Sequence, residues 1–340
     1  MSLPDVPAPI LEAARDRARA RRLRDWATAD RLRAEIEAAG WKVVDRGTEF
    51  RLEPAHPPTV EEGGVQRYGS SSAVPTRLDE APVGFASVVL VATDWIEDVV
   101  RAVGALADHA PDGTQVIVVA NAPTHAGAAA GRIDALDALE TLDRRDPGAP
   151  GVVTELVRTS DRLGHATALN AGVRRASAPV VVLLDGSVEP TGDLITPLVR
   201  ALDELSVAVA GPFGIVSSDL RRFDEPGEGV IDVDAIEGYL LAFRRADYVG
   251  RGPFDEHFAF YRNLDIWWSL VLRDEGEGEP PRRAVRVPGL PIRRHEHRGW
   301  SGTPEAERDR LSKRNFYRVL KRFATRRDLL VSGRGSPPRA

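Results

Sequence analysis

The chain has no cysteine among its 340 residues. Disulfides, thiolate metal sites and cysteine nucleophiles are therefore excluded together. It also lacks any apolar run near the ~18 residues that cross a bilayer, and Met1 to Ile10 lacks the basic-then-apolar order of a signal peptide, so a cytoplasmic location is expected. No Gly-x-x-x-x-Gly-Lys-Ser/Thr occurs, and no Gly-x-Gly-x-x-Gly follows the first apolar strand, which removes P-loop and ordinary dinucleotide chemistry. Charge of one sign is not in excess. A formal charge of −5 does not mark a chain-wide nucleic-acid binder, although local basic runs survive inside that average. What is present, 42% apolar and 29% charged residues, suffices for a large core, and the length suggests two domains.

Residues Ile10 to Gly40 read as two short helices: Leu32 and Ile36 fall four apart, Trp26 precedes them by about two turns, and Gly40 supplies a stop. Six arginines against one acid between Arg15 and Arg24 form either a solvated face or a surface for phosphates. Trp41 to Asp45 and Glu49 to Leu52 read as a hairpin turning at Arg46-Gly47. The run Arg24-Asp25-Trp26-Ala27-Thr28-Ala29-Asp30-Arg31-Leu32-Arg33, followed by Gly47-Thr48, resembles the C-terminal appendage of bacterial cysteinyl-tRNA synthetases. That resemblance implies either RNA contact through residues 15–24 or a borrowed fold used for packing or partner binding. Residues 1–53 are thus a helical pair plus hairpin, and residues 54–84, rich in Pro, Gly, Ser and acids, read as a linker with no core of its own.

From Phe85 the rhythm changes. Phe85 to Ala92 is an apolar strand, Ile96 to Ala107 a helix, and Gln115 to Ala120 a second buried strand, the order of a right-handed βαβ crossover. A loop-and-helix region rich in Ala and Gly, a strand near Val152 to Arg158, a helix from His165 to Arg175 and the run Pro179 to Leu184 complete a doubly wound parallel sheet. Thr191 is the expected N-cap of a helix burying Leu194, Leu198 and Leu205, and the shorter strands Val207 to Ala210 and Tyr239 to Phe243 make the distal half mixed. The buried run ending at Leu184 delivers Asp185 to the carboxyl end of the sheet, where open α/β sheets bind ligands. A carboxylate there can hold a divalent cation or a ribose hydroxyl, or simply begin an Asp-Gly turn.

Seven segments then fall in a telling order. Ser87 to Asp94 forms the first strand and its end, and Val119-Ala120-Asn121 closes the second. Arg162-Leu163-Gly164-His165-Ala166-Thr167-Ala168-Leu169-Asn170-Ala171-Gly172 precedes Leu184-Asp185-Gly186-Ser187. Gly238 to Arg245, Gly252-Pro253-Phe254-Asp255-Glu256 and Asn263-Leu264-Asp265-Ile266-Trp267-Trp268 follow. Together they resemble the family 2 glycosyltransferases, inverting GT-A enzymes that use nucleotide sugars. The departures are Ala120 for an aspartate, Ser187 for the second aspartate of Asp-x-Asp, and Asn263-Leu264 for Glu-Asp.

The resemblance implies a GT-A α/β domain over residues 85–330 and a nucleotide-sugar donor held by Thr93, Asp94, Asn121, Gly164, Asn170 and Asp185. It makes Asp265 the base that deprotonates an unidentified hydroxyl acceptor. It also implies Mg²⁺ or Mn²⁺ on Asp185, although Ser187 adds no charge; if the Pro291 to Trp300 segment is a strand, His295 and His297 share a face and either complete the metal site, with His295 as the ligand, or donate to a phosphate oxygen. Residues 304–327 read as a basic amphipathic helix, packed on the catalytic domain or touching the inner face of a membrane, and 331–340 as a disordered tail. The rival reading is a non-catalytic GT-A scaffold or binding module.

Overall fold

The computed structural model describes residues 6–46, 49–121 and 151–332. It divides into two units, residues 1–59 and 60–340. Gly47 of the turn expected at Arg46-Gly47 and the helix expected between the second and third strands lie outside the described residues.

In the first unit, helices α1 (Ala8–Arg22) and α2 (Trp26–Ala38) pack beside a hairpin of β1 (Trp41–Arg46) and β2 (Glu49–Pro54). Asp25 caps α2 by accepting the Thr28 amide at 3.1 Å. Ala29, Leu32 and Ile36 form the buried stripe of α2, whereas Trp26, expected on that stripe, is 57% exposed. It sits at the first position of the helix, before the stripe begins. The arginine run is divided. Arg15, Arg19, Arg22 and Arg24 are exposed, while Arg17, 6% exposed, donates two bonds to Asp45 at 3.0 and 3.1 Å and is joined there by Arg21.

The second unit begins earlier than the sequence suggests. Residues 60–84, expected to be a linker, pair as β3 (Val60–Glu62) and β4 (Val65–Arg67), and Val74 is buried in the core of the α/β unit. Their backbone is held by arginine side chains rather than by a regular element. Arg174 donates to the Val74 carbonyl at 2.8 Å, Arg175 to Pro75 at 2.9 Å, and Arg245 to Arg77 and Leu78 at 3.1 and 2.8 Å. Such a segment carries no periodicity, so it looked structureless.

An eight-stranded sheet organises the rest. Its parallel half contains β5 (Ala86–Ala92), β6 (Thr114–Ala120), β7 (Val153–Arg158) and β8 (Val180–Leu184), with β5 between β6 and β8. Chain order reverses at β5. The crevice beyond its carboxyl end, beside that of β8, is where such sheets take ligands. β9 (Val188–Pro190) leaves the sheet to pair elsewhere, and β10 (Val207–Gly211), β14 (Leu240–Arg244) and β15 (Arg283–Arg286) continue the mixed half, with β12 (Asp232–Val233) at the edge. β14 runs antiparallel to β8. A small ladder of β11 (Gly214–Ile215) and β13 (Ala235–Ile236) lies alongside, and β16 (Ile292–Arg294) pairs with β9.

Apolar side chains cover both faces of the sheet in two clusters. α3 (Ile96–His109) and α5 (Ile195–Asp203) cover one face, and α4 (His165–Val173) and α7 (Leu264–Arg273) the other. α6 (Arg245–Arg251), α8 (Arg298–Ser301) and α9 (Glu305–Phe323) complete the helices among the described residues. The cap of α5 is Asp193, which accepts the Ile195 and Thr196 amides at 3.0 Å, and not Thr191, whose amide bonds Pro291. Leu205, expected inside, lies beyond the helix and is 78% exposed. On α9, Asn315, Val319 and Phe323 are buried, but Tyr317 is 72% exposed. At the chain end, Val331 donates to Asp234 at 2.7 Å, and 333–340 lie outside the described residues.

Two expectations follow. A Cβ on Gly172 of α4 would lie 2.5 Å from Val89 and 3.0 Å from Val119, so Gly172→Ala should cost about 1–3 kcal/mol in denaturant unfolding. Arg17, opposed by burial and aided by Arg21, holds the Asp45 carboxyl below its ordinary value. The stability it contributes is complete above the unfolded aspartate value of about 3.9 and disappears as pH falls through the folded one. Arg17→Ala should therefore lower hydrogen-exchange protection of α1 and α2 amides about tenfold at neutral pH, with the difference closing in acid.

Candidate active site

Four backbone positions from the last residue of β13 to the one before β14 set the site. Ile236 donates to Ser269 Oγ of α7 at 3.1 Å, Glu237 to the Phe213 carbonyl at 2.9 Å, and Gly238 to Asp265 Oδ2 at 2.9 Å. The Tyr239 carbonyl accepts the Asp185 amide at 2.9 Å. Asp185 and Asp265 are thereby brought to one cleft of about 1280 Å³, which both line.

Asp185 follows directly from β8. Its Oδ1 accepts both the amide and the hydroxyl of Ser187, which aims Oδ2 at His297 Nε2, 3.4 Å away. Ser187 does not replace a missing charge; it fixes the direction of the one carboxylate present. Burial disfavours the ionised form of Asp185, but His297 and the two bonds from Ser187 prevail and hold its pKa below the ordinary value. Burial likewise opposes charge on His297, yet Asp185 raises its pKa above that of a free histidine. The His297 ring lies between Tyr261 and Tyr239, with centroids at 4.8 and 5.7 Å, and its Nδ1 accepts the Trp300 amide at 2.9 Å. That bond leaves Nε2 as the protonated nitrogen facing Asp185. Beside them burial lowers His165 to about 4, and burial pushes the Tyr261 hydroxyl up to about 12. Among the described residues the Tyr261 hydroxyl is also buried without a hydrogen-bond partner, a donor left unused on the cleft wall.

Asp265 lies in the first turn of α7, a helix apolar almost all round because it is buried almost all round. Its two oxygens accept the Gly238 and Ile266 amides, each at 2.9 Å. Burial outweighs those bonds and raises its pKa. Glu237, which sequence reasoning missed, lines the same cleft and is raised too, by burial and then by the Asp265 charge. Its only sequence signal was its place before the Gly238 motif. Asn263 stands where the resemblance has glutamate, and its backbone is left-handed, at φ 66°, a conformation asparagine tolerates. Its amide donates to Ser312 of α9 and ties the two helices together.

The other expected residues divide. Thr93 and Asp94 line the cleft, and Asp94 is paired with Arg162 at 2.7 Å. Asn121 reaches the cleft wall, but its amide is spent bridging the backbone of Leu163, accepting at 2.8 Å and donating at 3.0 Å. Asn170 is not part of the cleft lining. It is 2% exposed, donates to Phe254 and Glu256, and accepts from Tyr248 and the Phe254 amide, so its hydrogen-bonding capacity is used internally. Gly164 is also outside the lining. A Cβ there would lie 3.0 Å from Ala259, whose carbonyl takes the His165 amide, so this glycine admits a neighbouring loop rather than a phosphate. His295, expected as a metal ligand, has its Nε2 2.5 Å from Glu189, itself neighboured by Arg101 and Arg293. The imidazole facing Asp185 is that of His297, two residues on.

Among the described residues no group of three or more His, Cys, Asp or Glu side chains could hold a metal. The Asp185 carboxylate nonetheless fits a cation whose remaining ligands are phosphates and water, and His297 Nε2 joins it only if its proton moves to Nδ1 and the bond from the Trp300 amide is given up. The nitrogen suits a transition ion such as Mn²⁺ better than Mg²⁺. No helix among the described residues is long and apolar enough to cross a membrane.

Comparison with known proteins gives four findings. Residues 149–263 match glycosyl transferase family 2. GalNAc-T7 with UDP, GalNAc and Mn²⁺ is similar in structure at a TM-score of 0.51 and 15% sequence identity, over 70% of this chain and 48% of its own. The mannosyltransferase PcManGT from Pyrobaculum calidifontis in complex with GDP-Man and Mn²⁺ aligns over 78% of this chain and 79% of its own, at 17% identity and a TM-score of 0.45. Separately, 51 residues are 49% identical to a cysteine–tRNA ligase of Opitutus terrae, covering 15% of this chain and only 11% of that ligase. The α/β unit has the GT-A glycosyltransferase fold, and its residues 149–263 are similar to glycosyl transferase family 2.

Proposed function

We propose that the cleft transfers a sugar from a nucleoside diphosphate donor to a hydroxyl acceptor with inversion at the anomeric carbon. The observation that carries this reading is the convergence of Asp185 and Asp265 on one open cleft at the chain reversal of the sheet. The family 2 match and the GT-A fold support it.

In this mechanism Asp265 engages the acceptor hydroxyl, and its elevated pKa makes it a stronger base than a solvated aspartate. As the oxygen attacks, the bond from the anomeric carbon to the diphosphate breaks and its electron pair stays with the leaving phosphate. The Tyr261 hydroxyl and the Arg262 and Arg294 guanidinium groups line the cleft as donors for that charge. Arg262 lies 4.5 Å from the Trp300 ring, and Arg294 lies 4.3 Å from Tyr239. A divalent cation bound by Asp185 and His297 would supply further positive charge to the diphosphate. Thr93 and the Asp94–Arg162 pair stand where the nucleoside would enter.

A scaffold reading is favoured by one observation, the internal use of Asn121 and Asn170. Calorimetric titration with UDP-, GDP- and dTDP-sugars, with and without Mn²⁺, separates the two. Saturable binding supports the transferase, and silence across the panel supports the scaffold. Asp185→Asn should weaken donor binding about tenfold or more. Asp265→Asn should leave binding intact and slow transfer by about 10²–10⁴. In the wild type the acidic limb of transfer should lie above the ordinary aspartate value of 3.8, because the base must be ionised.

For the first unit we infer phosphate contact by Arg15, Arg19, Arg22 and Arg24, the exposed members of the run, supported by the stretch similar to the tRNA ligase. Binding of tRNA should fall with rising salt and vanish when these four are neutralised. Salt-independent or unchanged binding would remove the inference.

A further inference from the structure

Glu237 has no task in the mechanism above. It is half-buried on the cleft wall, and among the described residues its carboxylate has neither a hydrogen-bond nor an ion-pair partner. Its main chain, by contrast, is fixed by the bonds from Ile236, Glu237 and Gly238. The charged groups facing its carboxylate are Asp265 on α7, Arg294 at the end of β16, Glu225 beyond β11, and Arg262 ahead of α7.

Asp265 and Glu237 differ in one decisive respect. Each oxygen of Asp265 accepts a backbone amide, and bonds to the ionised form weaken a carboxylate's hold on a proton. Glu237 has no such bonds among the described residues, so no donor there competes with a proton for its carboxylate. Asp265 is the better oriented. Both line the same cleft, and the Gly238 amide that binds Asp265 follows directly after Glu237 in the chain.

We propose that Glu237 and Asp265 form a coupled carboxylate pair that acts as the general base, with Asp265 orienting the acceptor hydroxyl and Glu237 carrying its proton. The proposal rests on the transferase reading and adds a catalytic residue to it. The acceptor oxygen forms the new bond to the anomeric carbon, the bond to the diphosphate breaks with its electrons on phosphate, and the proton passes to Glu237 and then to water.

The test uses the full chain with Mn²⁺ and the UDP-, GDP- and dTDP-sugar panel. Donor affinity is read by calorimetry and nucleoside diphosphate release is read with water or sodium azide as acceptor. Azide has no proton to remove. Glu237→Gln should bind the same donor within about twofold of wild type while its release with water falls about 100-fold and its acidic pH limb is displaced. Glu237→Ala should regain release in azide, with a glycosyl azide as product. A Glu237→Gln rate and pH profile equal to wild type, or a Glu237→Ala loss that azide does not restore, overturns the pair and leaves the transferase intact. A wild-type chain that binds no donor, or binds one and releases diphosphate to neither acceptor, overturns the transferase reading and this proposal with it.

Discussion

The antiparallel pairing of β14 with β8 is the constraint on which the site depends. The ladder sets Leu240 opposite Leu184, and the bond from the Asp185 amide to the Tyr239 carbonyl extends it by one step. One residue earlier, Gly238 reaches across to Asp265. A Cβ on Gly238 would lie 3.3 Å from that side chain, so a small residue suits this close approach. The two aspartates, far apart in sequence, are therefore gauged against each other by neighbouring peptide units rather than by flexible loops. Sites built on strands and helices hold their geometry more closely than sites on loops.

Charge in the cleft is distributed by the same economy. Arg298 is committed to Asp98 and Glu97 at 2.7 Å each, which fastens the segment carrying His297 to the start of α3. Arg162 is bound to Asp94. Arg262 and Arg294 lie on aromatic rings instead, where a guanidinium keeps its charge and its edge donors. The cleft thus contains both neutralised pairs that shape its walls and cations still able to meet an anion.

The parallel half of the sheet was legible because buried strands such as Val180 to Leu184 write themselves as unbroken apolar runs. Asp185 was legible for the same reason: a polar residue ending such a run must reach the rim. Asp265 could be found from its motif, and its position on a helix buried nearly all round explains why it is the polar exception there. The roles within the motif around Asn170 were not legible. An asparagine that binds a ligand and one that staples the Phe254 loop look identical in sequence, and only the four internal bonds distinguish them. Residues 60–84 were misread because arginines far along the chain supply their order. His295 and His297 were confusable because the strand that would have fixed their sides ends at Arg294.

The shared gauge between the aspartates limits how this cleft can adapt. Spreading them to admit a bulkier ligand would mean cutting the sheet ladder, whereas the stretches around Arg221 to Glu225 and His297 to Pro304 line the cleft without belonging to the ladder. Changes in ligand size are therefore best absorbed in those stretches, so an engineer who wishes to reshape the cleft should recut them and leave the ladder untouched.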